Sequence, residues 1–257
     1  MVRLLLVFLF LGAAPALVLA ENPPVIMIDP GHGGNAVAGS LSKRSNSSPN
    51  NAISPSGILE KDLTLEFSLI LHDEILKRAT ASGHLVGVLL TRTDDRNLDF
   101  VERAAICNRP DTACVVSIHF NAGGGGKASG SLALIAIEER NPSYDLDRRF
   151  GLGLASACNR GVRQFLPHSK DRGVITDGHL HGGLGSNFFF QMLRHDRLRE
   201  VPKCFLEIEF MDNPSVEKVL LSGDRAAKFR SVAKPIAGYL LDWVVEANGL
   251  DPKAQAR

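Results

Sequence analysis

Val25-Ile26-Met27-Ile28-Asp29-Pro30-Gly31-His32-Gly33-Gly34 is an apolar, partly β-branched run that stops at a turn and delivers a histidine. Residues 25–28 read as a buried strand, and Pro30-Gly31 as its stop. From here the pattern alternates. Residues 35–57 are rich in Ser, Asn and Gly and predict a long loop, a length that is usually functional or mobile inside a compact domain. Leu63, Phe67, Ile70, Leu71 and Ile75 then fall on one face at helical spacing, with Glu60 in or just before the first turn, where the helix dipole favours a carboxylate. Residues 85–90 predict a strand and 98–108 a helix. Residues 114–118 form a β-branched strand that runs straight into His119. Residues 123–126 are a glycine turn and 131–137 another strand.

Residues 145–165 read as a helix despite Gly151, Gly153 and Gly161, and 173–186 as a Gly/His-rich loop. Two more strands are predicted at 188–193 and 204–210. The last helix is expected at 224–247, kinked or split by Pro235, followed by a frayed tail. Strands alternating with helices predict one α/β domain with a twisted, mostly parallel sheet and helices on both faces.

In such a sheet, ligand sites lie outside the carboxyl ends of the strands. His32 follows the first strand, His119 ends another, Glu207 lies near the end of a third, and Glu60 opens the helix after the long loop. All four can project from one sheet edge. Two histidines and a carboxylate suit a catalytic zinc, and a further carboxylate suits a general base. Taken singly, each has a plainer reading: a loop histidine, a helix N-terminal charge, half of an ion pair.

Composition narrows the function classes. The 257 residues are 44% hydrophobic and 22% charged, which suits a packed globular core. With 29 basic and 28 acidic residues there is no cationic surplus of the kind a nucleic-acid partner requires. Residues 1–20 carry Arg3, an apolar stretch and a small-residue end at Val18-Leu19-Ala20, the pattern of a signal peptide. An uncleaved N-terminal anchor is the alternative; Glu21-Asn22-Pro23-Pro24 follows at once and breaks any helix. On this reading residues 21–257 are the catalytic domain, with 28 residues of each charge sign. Cys107, Cys114, Cys158 and Cys204 allow disulfides in an exported chain, or four buried thiols; a local Cys107–Cys114 bridge would leave Cys158 to pair with Cys204.

The motifs resemble those of the zinc-dependent N-acetylmuramoyl-L-alanine amidases of the Amidase_3 type. Asp29-Pro30-Gly31-His32-Gly33-Gly34 is similar to that family's first zinc motif, Glu60-Lys61-Asp62-Leu63 to its second, and Ser117-Ile118-His119-Phe120-Asn121-Ala122 to its third. Thr91-Arg92-Thr93-Asp94, with Leu98 and Arg103, resembles the intervening strand and helix. Leu206 to Pro214 resembles the segment with the catalytic glutamate. The resemblance implies Zn²⁺ held by His32, Glu60 and His119, with Glu207 as catalytic base. It implies hydrolysis of the amide between N-acetylmuramic acid and L-alanine in peptidoglycan, and export to the periplasm or cell envelope. A related zinc peptidase acting on stem peptides is the alternative enzyme, and a non-catalytic peptidoglycan-binding module the alternative class. A protein activator and the oligomeric state are left open by the sequence.

Three departures stand out. Glu209 replaces a glycine usual in the family, and strand alternation would turn it to the same face as Glu207. It would then tune Glu207, contact substrate or fill a polar rim. The 173–186 loop looks longer than usual and carries His179 and His181, which would touch substrate, recruit a second metal or simply be exposed. Residues 138–207 have room for an insert such as the autoinhibitory helix of some relatives, though their glycines argue against a stable one.

Overall fold

The computed structural model describes residues 22–39, 44–178 and 185–249. The predicted signal segment, His179 and His181 lie outside the described residues. Six strands, β1 (Val25–Pro30), β2 (Gly87–Leu90), β3 (Thr112–Asn121), β4 (Ser131–Ile135), β5 (Asp171–Thr176) and β6 (Lys203–Phe210), form one sheet in the order β2-β1-β3-β6-β4-β5. All neighbours are parallel except β4 and β6, which run antiparallel.

Alternation sorts the strand residues into two cores. Ile26, Ile28, Val116, Ile118, Phe120, Leu206 and Ile208 pack against α1 (Glu60–Ser82), α3 (Tyr144–Val162) and the C-terminal helix α6 (Arg225–Ala247). Val25, Met27, Val115, Phe205 and Phe210 face the other way, toward α2 (Phe100–Cys107), α4 (Asn187–Met192) and α5 (Asp196–Glu200). Both faces are thus covered by helices, as a largely parallel sheet requires.

Several local expectations are corrected. Residues 188–193 are not a strand: Asn187–Met192 is the short helix α4, capped by the Ser186 hydroxyl, which accepts from the Phe189 N–H at 3.3 Å. Three successive phenylalanines look like a buried strand, but the serine cap decides the local geometry. The 173–186 segment is not all loop, because β5 occupies Asp171–Thr176 and pairs with β4. Pro235 lies inside one continuous helix rather than splitting it; packing of α6 on α1 and α3 tolerates the lost backbone donor. The glycines of α3 have a packing role. A Cβ at Gly153 would stand 2.3 Å from the Tyr239 ring of α6. All four cysteines are free and buried, so neither bridge forms. Deep under β6, Lys203 pairs with Asp147 at 3.2 Å and donates to Ser143 Oγ at 2.7 Å, tying α3 to the sheet. Among the described residues no helix is long and apolar enough to cross a membrane.

Candidate metal centre and cleft

β1 ends beside β3, with Asp29 in register with Ser117 and Pro30 with Ile118. The chain then turns through Gly31 to His32, whose φ of 60° makes it the one non-glycine residue with positive φ among those described. Such a backbone costs a β-carbon-bearing residue roughly 1–2 kcal/mol, so its surroundings must hold it. Arg103 Nη2 donates to the His32 carbonyl at 2.7 Å, and the Gly33 N–H donates to Pro49 O at 3.1 Å. His32 Nδ1 lies 3.0 Å from Ser48 O. A carbonyl only accepts, so Nδ1 carries the proton and Nε2 presents a lone pair. Gly31 is required for a different reason: a Cβ there would stand 2.4 Å from the His119 imidazole.

Glu60 opens α1 and points back to the same place. Its Oε2 lies 3.2 Å from His32 Nε2 and accepts from the Ala52 N–H at 3.2 Å. Its Oε1 lies 3.1 Å from His119 Nδ1 and accepts from the Phe120 N–H at 3.2 Å. The two imidazoles meet edge to face with centroids 5.0 Å apart. One ligand atom from each of His32, Glu60 and His119 lies within 4.8 Å of the others. Glu207 is the register partner of His119 across the β3–β6 ladder and shares the cleft with it. His32 Nε2 and Glu207 Oε2 are both buried without a hydrogen-bond partner. Buried polar atoms are rarely left so, and two neutral nitrogens with one carboxylate form the donor set of an open zinc site. These residues therefore fit a zinc ion.

The electrostatics agree. Burial pushes the Glu60 carboxyl up, but the adjacent His32 and His119 outweigh it and hold it well below the usual range. Burial lowers His32, yet the Glu60 carboxylate leaves its net pKa raised. Burial prevails at His119, which is lowered and stays neutral. At Glu207 burial and the charge of Glu60 act together and push the carboxyl well above 4.5.

Around these three residues lies a frame that sequence reasoning placed in motifs but gave no role. Asp29 is buried and accepts from Arg103 Nη1 at 2.7 Å, Ser117 Oγ at 2.6 Å and Thr91 Oγ1 at 2.5 Å. Burial raises its carboxyl, but Arg103 and these donors bring it below 3.8. Arg92 is buried too, donating to Pro30 O, Gly31 O and Lys61 O at 2.8–3.0 Å; burial and neighbouring Arg103 push its guanidinium down to about 10. Together they clamp the His32 turn to the start of α1.

Glu209 does not share a face with Glu207. The β3–β6 register shifts between His119 and Asn121, a bulge that puts Phe210 opposite Asn121. Glu209 is fully buried and accepts from the Gly130 N–H at 2.6 Å and the Ser169 hydroxyl at 2.7 Å. Ser169 is in turn held by Asn159 of α3. Glu209 thus fastens β6 to the start of β4 and the turn before β5.

A cavity of about 580 Å³ opens over His32, His119 and Glu207. Phe188, Phe190 and Phe205 line one wall, and Arg44, Asn46 and Ser48 the rim.

The defining pattern of Amidase_3, N-acetylmuramoyl-L-alanine amidase, matches residues 26–237. The chain is 26% identical over 245 residues to the N-acetylmuramoyl-L-alanine amidase AmiC of Neisseria meningitidis serogroup B, covering 84% of this chain and 53% of that protein. It is 35% identical over 100 residues to the amidase CwlM of Bacillus licheniformis, covering 39% of this chain and 32% of that one. The chain thus spans about half or less of the length of these relatives. An N-acetylmuramoyl-L-alanine amidase from Clostridium difficile 630 has the same fold, with a TM-score of 0.64 at 23% identity over 87% of this chain and 97% of that one. The CwlD amidase of Clostridioides difficile, solved in complex with the GerS lipoprotein, gives 0.59 at 20% identity over 87% and 99%. With a match running from β1 into α6, the chain belongs to the N-acetylmuramoyl-L-alanine amidase family.

Proposed function

We propose that this chain is an exported, zinc-dependent hydrolase that cleaves the amide between N-acetylmuramic acid and L-alanine in peptidoglycan. The observation that carries the reading is the convergence of His32, Glu60 and His119 within 4.8 Å beside the unpartnered carboxylate of Glu207. A zinc ion bound there supplies Lewis acidity and brings the pKa of a water toward neutrality, roughly 7 in well-studied enzymes. Glu207 accepts a proton from the water that attacks the amide carbonyl. It then passes that proton to the departing nitrogen as the carbon–nitrogen bond breaks, leaving a lactyl carboxylate and a free L-alanine amine. Burial and the nearby Glu60 charge raise its carboxyl, which makes it a stronger base toward the water than a free carboxylate. His32 and His119 stay fixed throughout, the first by Ser48 and the second by Glu60.

The apolar segment at residues 1–20 supports export, since the substrate lies outside the cytoplasmic membrane. A protein partner is part of the proposal, by analogy with the solved CwlD–GerS complex.

Mass spectrometry of material released from sacculi by residues 21–257 tests the proposal. Intact stem peptides with free L-alanine amines, abolished by a chelator and restored by zinc, are expected. Peptides cut internally would favour the zinc peptidase instead, and binding without release a non-catalytic module.

A further inference from the structure

The cleft does not end at its aromatic wall. A second cavity of about 210 Å³ adjoins it and shares Gly185, Ser186 and Phe190 with the first. Its lining is strongly cationic: Arg140, Arg194 and Arg199 all contribute. Phe190 stands at the junction. Arg44 lies over its ring at 4.2 Å to the centroid, and Arg194 approaches the same ring at 5.9 Å.

Stacking orders a guanidinium without consuming its N–H donors, whose edges remain free for an oxygen pair. Elsewhere in the chain Arg96, Arg103, Arg109 and Arg225 each hold a carboxylate within 3 Å. Among the described residues, no carboxylate lies within 4.0 Å of the guanidinium nitrogens of Arg44, Arg140 or Arg194. Arg199 pairs only loosely with Asp196, at 3.6 Å. The acid that lines the cavity, Asp177, already receives the Ser186 N–H. In a chain with nearly balanced charge, this concentration at one end of one cleft is selective.

We infer that the Arg140–Arg194 cavity, entered past Phe190 and Arg44, is a carboxylate subsite for the peptide on the amine side of the scissile bond. The inference rests on the amidase reading for the direction in which the peptide lies. Planar guanidinium groups suit a carboxylate because two parallel N–H donors meet its two oxygens. The apolar Phe190 ring at the entrance, held between the Arg44 and Arg194 guanidinium groups, limits competing water. The subsite selects peptides by charge and adds binding remote from the reacting carbonyl.

The test uses binding, so that it does not depend on turnover. Titration calorimetry with the zinc-loaded chain would compare an L-alanyl-glutamyl-lysine tripeptide with its fully amidated counterpart. The free acid is expected to bind about 10- to 100-fold more tightly, and Arg140→Ala with Arg194→Ala to erase the difference while zinc content and melting temperature hold. Equal binding of the two peptides by the unmodified chain would overturn the inference. So would retention of the preference in the double variant, or equally tight binding of inorganic phosphate, which would mark a general anion site. Should the double variant fail to fold, Arg194→Gln alone must show the same loss of preference. Failure of the amidase reading is seen separately, as absence of zinc-dependent release from sacculi.

Discussion

Arg103 Nη2 reaches the carbonyl oxygen of His32 at 2.7 Å, from a side chain that is 1% exposed. The same guanidinium donates to Asp29 and Pro30, so one residue of α2 holds both the left-handed turn and the buried acid beneath it. Arg103→Ala removes this and leaves Asp29 buried without its counter-charge. A loss of about 3–5 kcal/mol is expected, together with a zinc affinity lowered 10- to 100-fold. Chemical denaturation and a zinc-chelator competition read the two effects. An unchanged zinc affinity would show that the turn holds without the arginine.

Gly31→Ala places a methyl 2.4 Å from the His119 ring, closer than real carbon contacts allow. The imidazole must swing away from Glu60. Zinc content at equilibrium with a fixed chelator concentration should fall below that of the parent chain, and unchanged content would show that His119 stays in place.

Glu207→Gln keeps the shape of the side chain and all three ligands. Turnover should fall 10²-fold or more, by loss of the proton carrier, with full zinc occupancy. Activity near that of the parent chain would assign the proton transfer to another group.

Zinc affinity should depend on pH in a defined direction. His32 is raised above its ordinary 6.5 by the Glu60 carboxylate, so in acid it carries a proton that zinc must displace. Affinity is therefore fully developed above that raised value and declines as pH falls through it, by about tenfold per unit for one proton. A competing chelator dye, corrected for its own protonation, measures the slope between pH 5 and 8. A flat line across that range would contradict the His32–Glu60 pairing.

Much of this cluster was legible because each of its residues sits at the end of a regular pattern. Strand alternation carries His119 to the cleft face, and the first turn of α1 fixes Glu60. What was not legible depends on contacts between distant segments. Glu209 should share a face with Glu207 by simple alternation, but one inserted residue in the ladder turns it toward Ser169. Phe188, Phe189 and Phe190 read as a strand because hydrophobicity alone does not separate a buried strand from a short buried helix. Arg92 and Arg103 stand in a motif without a role; only the folded turn provides the carbonyl oxygens that hold them inside.

The reversal of direction between β6 and β4 divides labour along the chain. His32, Glu60 and His119 all arise before residue 131 and Glu207 lies on β6, whereas α4, which brings Phe188 and Phe190 to the cleft wall, comes from the excursion between β4 and β6. The metal-type cluster and the helix that carries most of the aromatic wall are thus encoded in separate stretches of the chain. Mutation can rewrite the α4 excursion, exchanging one wall for another, while the strand ends that carry His32, His119 and Glu207 stay where they are.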